Sequence, residues 1–449
     1  MKKLLLIMVC LLSLTAIAQT PPNIIDAYLI GSPTKTVVAN YSKGIVKPRD
    51  LDFHPTRDEL WVVLMETEAT GGKTALISKP GKTGQSVLIQ KDGNAWHFMS
   101  LPTGIAFSSN GNFSTSPGVF DANHNGGAPF TGPSLWSSDP LIYAQYPGAG
   151  LNGSHLDMLH ESPYSMGICS DTNNIFWVND GYHNTVVRYD FKGDHGPGGA
   201  YHSDGIIRRY TGLGLVEDSL YFIPSHMILD KATGWLYIAD TGNNRIVRLN
   251  TKTGTKAGNL SPYEAPMAEY SYYTGFSSNT YVNTGLAQPS GIDLVGNRLI
   301  VSDYATGEII IYNKTGTTGV ELGRIQTNAS GIMGIKIGPD GKIWYVDANN
   351  NEVVRLNPAS ATDISETVID NIQIYPNPAS EDYITLSNLN QTNTIVKIYN
   401  TMGQLALETT VNVNESQINI ASLKQGSYIV QLMDKKSTDI TIKKLIVIK

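Results

Sequence analysis

The sequence predicts an all-β chain: a six-bladed β-propeller followed by a small C-terminal β-sandwich. Three observations predict this. A hairpin pattern recurs between residues 48 and 357. A second short apolar strand, usually opened by proline, precedes each copy. From Asn371 the spacing changes to short alternating strands separated by turn residues. Repeats of roughly 40 to 60 residues, each several strands long, are the mark of radial or solenoid architectures. The tail pattern is that of a sandwich.

The clearest copy runs from Gly234 to Asn250. Leu236–Ala239 is a short aromatic and aliphatic strand, Asp240 ends it, Thr241–Asn244 turns the chain, and Ile246–Leu249 returns. Gly and Asn suit the turn because they tolerate positive φ. Related copies are Ile175–Asp180 with Val186–Tyr189, Leu299–Asp303 with Ile309–Tyr312, and Ile343–Asp347 with Val353–Leu356. Weaker ones are Leu135–Asp139 with Leu141–Tyr143, and Leu60–Val63, which lacks the Asp. The repeat Asp is expected to cap its turn through backbone amides. The preceding strands begin at Pro48, Pro102, Pro163, Pro224 and Pro289, and the sixth is Gly331–Ile335. One hairpin cannot bury its own apolar face, so the copies must pack on one another.

These copies resemble NHL repeats, in which a strand and Asp lead through a Gly/Asn turn into Arg-Ile or Val-Val. The resemblance implies a six-bladed NHL-like propeller over residues 19–357. The last copy runs from Leu356 straight into Asn357-Pro358 and has no outer strand of its own. Lys35–Asn40 is expected to supply it and join the two ends of the ring. Long insertions are expected at 112–133 and 192–208. Residues 358–370 read as a polar linker.

At the start, Lys2 and Lys3 precede the apolar run Leu4–Leu14, and Ala16-Ile17-Ala18 forms a small-residue cleavage site. Residues 1–18 are therefore expected to be a cleaved secretory signal peptide. Its removal takes away Cys10 and leaves Cys169 as the one thiol, so no internal disulfide is expected and the fold must rest on core burial. The formal net charge of −6 becomes more negative with the loss of Lys2 and Lys3. That balance argues against nucleic acid as a partner. No later apolar run is long enough for a transmembrane segment in the mature chain.

The tail opens on Ile372–Ala379, which contains Tyr375-Pro376-Asn377-Pro378, and continues through Tyr383–Leu386, Ile395–Tyr399, Gln417–Ile420 and Tyr428–Leu432. Asn400, Met402-Gly403-Gln404, Leu423, Gly426 and the basic-apolar end Lys443–Lys449 complete the pattern. Residues 371–449 closely resemble the type-A C-terminal sorting domain of the type-IX secretion system. Asn400 stands where that family often has Asp. The resemblance implies export through the type-IX machinery, a secreted or outer-membrane surface location, and a Bacteroidetes source.

Several catalytic signatures are missing: there is no G-x-S-x-G elbow, no complete phosphate loop and no H-E-x-x-H. Asp121, Asn123 and Asn125 before Gly126 match the first half of a calcium loop, but Gly132 occupies the position of the closing Glu. An Asx-rich turn is the competing reading. Asp218-Ser219-Leu220 fits a short bacterial O-glycosylation signal. Six of the nine histidines fall between residues 155 and 226: His155, His160, His183, His195, His202 and His226, with Asp157 among them. Imidazole with carboxylate is the ligand set of zinc and similar ions. The expected cofactor, where one is used, is thus a divalent metal, zinc or calcium, with His226 and His183 first, then His155, Asp157 and His160. Pro224-Ser225-His226 resembles the Pro-His inner strand of peptidyl-hydroxyglycine lyases. That family's zinc histidines come from several blades, whereas here the corresponding positions are Asp50, Gly104, Ser165, His226, Gly291 and Gly334. Binding of a ligand or partner at the propeller face is the leading functional expectation. A metal-dependent lyase or lactone or ester hydrolase is the alternative, and a surface-layer component is a third class.

Overall fold

The structure is a computed structural model that describes residues 23–145, 153–218, 220, 222–261, 263–264, 267–359, 372–387, 389, 394–400, 404–413, 416–434 and 440–449. The expected signal peptide, most of the linker, Met402-Gly403 and Ser219 lie outside the described residues. The chain divides into two compact units, 1–359 and 360–449.

The first unit consists of six sheets, here blades 1 to 6, antiparallel apart from one edge pair in blade 3. Blade 1 is Pro48–Phe53, Glu59–Leu64, Lys73–Ser78 and Ser86–Gln90. Blade 2 is Pro102–Phe107, Phe113–Pro117, Ser134–Trp136 and His155–Met158. Blade 3 is Ser165–Ser170, Ile175–Asp180, Thr185–Asp190 and Ile206–Tyr210. Blade 4 is Met227–Asp230, Trp235–Asp240, Arg245–Asn250 and Ser278–Val282. Blade 5 is Pro289–Val295, Arg298–Asp303, Glu308–Asn313 and Val320–Gln326. Blade 6 is Ile332–Ile337, Ile343–Asp347, Glu352–Asn357 and, from the other end of the chain, Thr34–Asn40. The inner strand of each blade contacts that of the next, and the inner strand of blade 6 contacts that of blade 1. Apolar residues from neighbouring blades fill the wedges between them. Ala106, Leu135 and Leu156 of blade 2, for example, pack with Ile168, Phe176 and Val187 of blade 3. Trp61, Trp136, Trp177 and Trp344 are fully buried in this way.

The N-terminal strand pairs antiparallel with Glu352–Asn357, with Thr36 opposite Arg355 and Val37 opposite Val354. The expectation for Lys35–Asn40 holds. Inner strands that open on proline do so at Pro48, Pro102 and Pro289, where the missing N–H costs no ladder bond. The repeat Asp caps its turn: Asp303 accepts from the amides of Ala287, Ala305 and Thr306, and Asp347 from that of Asn350.

One expectation is corrected. In blade 2, Leu135-Trp136 is the third strand and Leu141–Tyr143 is turn, while the second strand, Phe113–Pro117, lies inside the expected insertion. The sheet of blade 3 extends to six strands. A hairpin of Thr255–Asn259 and Glu269–Thr274, inserted between the third and outer strands of blade 4, adds to its edge, with Glu269–Thr274 parallel to Ile206–Tyr210.

The second unit is a sandwich. One sheet holds Gln373–Tyr375, Tyr383–Ser387 and Gln417–Asn419; the other holds Leu405–Val411, Thr394–Asn400, Gly426–Asp434 and Ile440–Val447. Ile384, Leu386 and Ile418 from the first sheet share one core with Val396, Ile398, Val430 and Leu445 from the second.

Candidate functional site

The inner strands bring one set of ionisable groups to the propeller axis. Asp50 accepts from the Ile105 amide at 3.0 Å and Asp52 from the Phe107 amide at 2.7 Å, tying blade 1 to blade 2. Asp293 accepts from the Ile337 amide at 2.6 Å, tying blade 5 to blade 6. Burial pushes the Asp50 carboxyl up to about 7 and that of Asp293 up to about 6, against the pull of Lys336. Burial works to lower the Lys336 ammonium, but Asp52, Asp293 and Asp50 together hold it above the usual lysine value. His226 is 3% exposed, and burial pushes its ring down to about 3. Its Nδ1 lies 3.6 Å from Asp50 Oδ2, and neither ring nitrogen makes a full hydrogen bond.

At one end of the axis a cavity of about 510 Å³ is lined from every blade, including Asp52, Ser108, Ser170, Lys231, Asp293 and Lys336. A second cavity of about 560 Å³ shares Ser109, Leu229 and Lys231 with it and adds Arg188, Arg208 and Lys252. Arg208 is engaged by Glu269 through two hydrogen bonds, and Arg188 lies 3.8 Å from Asp171. Lys231 and Lys252 form no ion pair among the described residues, so their charges remain available to a ligand.

A second set of ionisable groups gathers beside the wedge of blades 2 and 3, from four separate segments. His97 sits on the one-turn helix Ala95–Phe98, before blade 2. His160 follows the outer strand of blade 2; His195, His202 and Asp204 lie in the loop between Thr185–Asp190 and Ile206–Tyr210; Glu264 lies in the turn of the added hairpin. His160 Nδ1 is 2.8 Å from Glu264 Oε2, and the His160 amide donates to Oε1 of the same carboxylate. His160 Nε2 is 3.3 Å from His97 Nε2, and His97 Nδ1 is 3.1 Å from the Ala122 carbonyl. Phe130 stacks on the His160 ring with centroids 3.9 Å apart. His202 Nδ1 is 2.5 Å from Asp157 Oδ1, and its Nε2 is 4.0 Å from Glu264 Oε2. His195 lies between Asp157, 3.4 Å from Nδ1, and Asp204, 3.1 Å from Nε2. Burial opposes the charge on His202, but Asp157 and Glu264 outweigh it and hold the ring above its ordinary value.

Of the residues singled out from the sequence, His160, His195, His202 and Asp157 thus belong to one network, and the others do not join it. His226 is axial. His183 is held by Asp180, 2.9 Å from Nδ1, and by the Tyr263 hydroxyl, 3.1 Å from Nε2. His155 is buried and stacked on Phe98, with centroids 3.6 Å apart. Asp121 accepts from the amides of Asn123, Asn125 and Gly127, and Asn125 accepts from Gly127, so these residues build an Asx-type turn. Among the described residues, no three His, Cys, Asp or Glu groups are placed to hold a metal ion. The reason is local: most of these nitrogens and oxygens are already spent on one another or on backbone amides. Sequence reasoning missed His97, Glu264, Asp52, Asp293 and Lys336. The alternation of Asp50-Leu51-Asp52 on an inner strand was the available signal for Asp52.

In the second unit, Asn377 locks the last strand in place. Its side-chain amide donates to the Lys444 carbonyl at 2.6 Å, and its side-chain oxygen accepts from the Ile446 amide at 2.9 Å. Ala379 exchanges backbone bonds with Ile446 and Ile448. The Asn400 side-chain oxygen accepts from the Gln404 amide at 3.0 Å, a role an Asp carboxylate fills equally well.

Residues 373–449 match the family model described as a secretion system C-terminal sorting domain. The tail is an address of the type-IX secretion system, so the chain is exported to the cell surface or outer membrane. No curated protein matches the chain. Solved structures with a similar fold include an auxiliary nutrient binding protein from Bacteroides thetaiotaomicron, at 13% identity and a TM-score of 0.44 over 69% of this chain and 68% of that one. PorZ, a surface component of the type-IX secretion system of Porphyromonas gingivalis, is 15% identical with a TM-score of 0.40 over 89% of this chain and 51% of that one. Streptogramin B lyase is 15% identical with a TM-score of 0.40 over 68% of this chain and 78% of that one. At these values the likeness carries no functional argument. Among the described residues no helix is long and apolar enough to cross a membrane.

Proposed function

We propose that the mature chain is a secreted or surface-held binding propeller, delivered by its sorting domain. Residues 1–18 are removed as a signal peptide, 19–357 form the NHL-like propeller, 358–370 link it to the tail, and 371–449 are read by the type-IX machinery. The ligand face is the end of the axis where the two cavities meet. One observation carries this choice: every blade contributes to the 510 Å³ axial cavity, and its rim cation Lys231 is shared with the neighbouring cavity that holds Lys252. The axial carboxylates are committed to interblade amides, whereas the two lysines are exposed and form no ion pair among the described residues. That arrangement favours an anionic ligand, because an exposed ammonium gives up little hydration to meet a carboxylate or sulfate.

The test is an array of carboxylated and sulfated glycans probed with the mature protein. Binding that weakens several-fold in Lys231→Ala and Lys252→Ala supports the reading. An array on which wild type binds nothing anionic, or on which both variants bind unchanged, rejects it.

A further inference from the structure

We propose that His97 and His160 form a two-imidazole binding site for a divalent late transition ion of the zinc type, separate from the axial ligand face. The argument starts from the outer nitrogens. His97 Nδ1 faces the Ala122 carbonyl, which only accepts, so that nitrogen carries the hydrogen. His160 Nδ1 faces the Glu264 carboxylate at 2.8 Å and carries its hydrogen for the same reason. With their Nδ1 atoms so engaged, the rings turn their Nε2 atoms toward each other, and these two nitrogens lie 3.3 Å apart. Two imidazole nitrogens meet at that distance only with a cation, a proton or a metal ion, between or beside them.

The distance suits a metal. Two imidazole nitrogens, each about 2.0–2.1 Å from a tetrahedral ion, lie about 3.3–3.4 Å apart. The outer partners are also those of ligating histidines: one carboxylate and one backbone carbonyl hold the Nδ1–H groups, fix the tautomers and aim both Nε2 atoms at one place. Phe130 stacked on His160 and the short helix under His97 restrict both rings before any ion arrives. No third His, Cys, Asp or Glu converges with them among the described residues. The protein thus supplies two ligands, and water fills the other positions. Imidazole pairs of this kind suit zinc, nickel and copper better than calcium or magnesium.

The test uses the mature full-length protein, freed of metal by dialysis against a chelator and titrated with Co²⁺, then with Zn²⁺ as competitor. The expected result is one bound Co²⁺ per chain, seen by its visible absorption and displaced by Zn²⁺. His97→Ala, on the more exposed partner, should abolish it. Glu264→Gln should weaken it by about 10-fold or more, because the outer hydrogen bond orients the ligand. His226→Ala, at the axis, should leave it unchanged. A variant that fails to fold is bypassed by zinc-edge anomalous diffraction from wild-type crystals grown with Zn²⁺, which should place a peak between the two rings. Absence of Co²⁺ binding, binding undiminished in His97→Ala, or a peak elsewhere overturns the proposal. Nitrogen NMR showing a proton shared between the rings and no response to Zn²⁺ also overturns it.

Discussion

The Tyr28 hydroxyl donates to the Leu356 carbonyl at 2.7 Å and accepts from the Ile343 amide at 3.0 Å, joining the first described segment to two strands of blade 6. Tyr28 is 2% exposed, so these bonds are made away from water. Tyr28→Phe keeps the ring and strands the Ile343 amide. The expected loss is about 1–3 kcal/mol, the cost of an unsatisfied buried donor. Urea denaturation followed by tryptophan fluorescence measures it, and an unchanged midpoint would show that water replaces the hydroxyl.

Glu217 is buried, and its carboxyl oxygens lack full hydrogen bonds. Burial pushes this carboxyl up to about 8, with the charges of Asp240 and Asp180 adding to the effect against hydrogen bonds from Ser225 and Asn179. Below about pH 4.5 the group is protonated both folded and unfolded. Between there and pH 8 the unfolded chain ionises it and the folded one does not, so stability falls as pH rises by up to about 1.4 kcal/mol per unit. Above that window the loss is constant. Glu217→Gln should therefore be more stable than wild type at pH 8 and nearly equal to it at pH 4. Thermal melts of both proteins across this range decide the matter, and parallel curves would contradict it.

Lys336 is the cation shared by Asp50, Asp52 and Asp293. Lys336→Met leaves those carboxylates without it. The expected destabilisation is about 3 kcal/mol at pH 8, by analogy with buried pairs that lose one partner. It should shrink toward pH 5, where Asp50 and Asp293, already pushed up to about 7 and about 6, take up protons. A loss that does not depend on pH would show that the methylene stem, rather than the charge, is what matters.

Deletion of 373–449 should leave a folded propeller that fails to reach the surface, since the two units are separately compact and the tail carries the sorting match. Cell fractionation with an antibody to the propeller should find it in the periplasm. Asn377→Ala, which loses both bonds to the last strand, should destabilise the tail by roughly 1–2 kcal/mol and lower the exported fraction. Full surface delivery of the deletion protein would refute the address.

The Asp-ended hairpins were legible because alternation and turn residues are local signals, and so was the open edge at Leu356, which named Lys35–Asn40 as its partner. Phe113–Pro117 was not. Its Ser and Thr look like loop, yet Ser114 donates to the Ser134 carbonyl and Thr115 accepts from the Trp136 ring, so a polar strand lies buried with its groups satisfied. The parallel edge strand Glu269–Thr274 depends on which neighbour it meets, and nothing within the segment encodes that. The histidine-rich stretch drew attention to His160 and His202. His97 and Glu264 stand 63 and 104 residues from His160 in the chain, and only the fold brings them together.

Thr34 and Asn357 are joined by a side-chain bond although 323 residues separate them. The strand synthesised first among those of the propeller therefore waits for the one synthesised last. Any product that stops short of Glu352–Asn357 keeps a bare sheet edge and an exposed apolar stripe, features that invite aggregation and proteolysis. The seam thus acts as a length check: only a chain translated past its sixth repeat can hide the evidence of being unfinished.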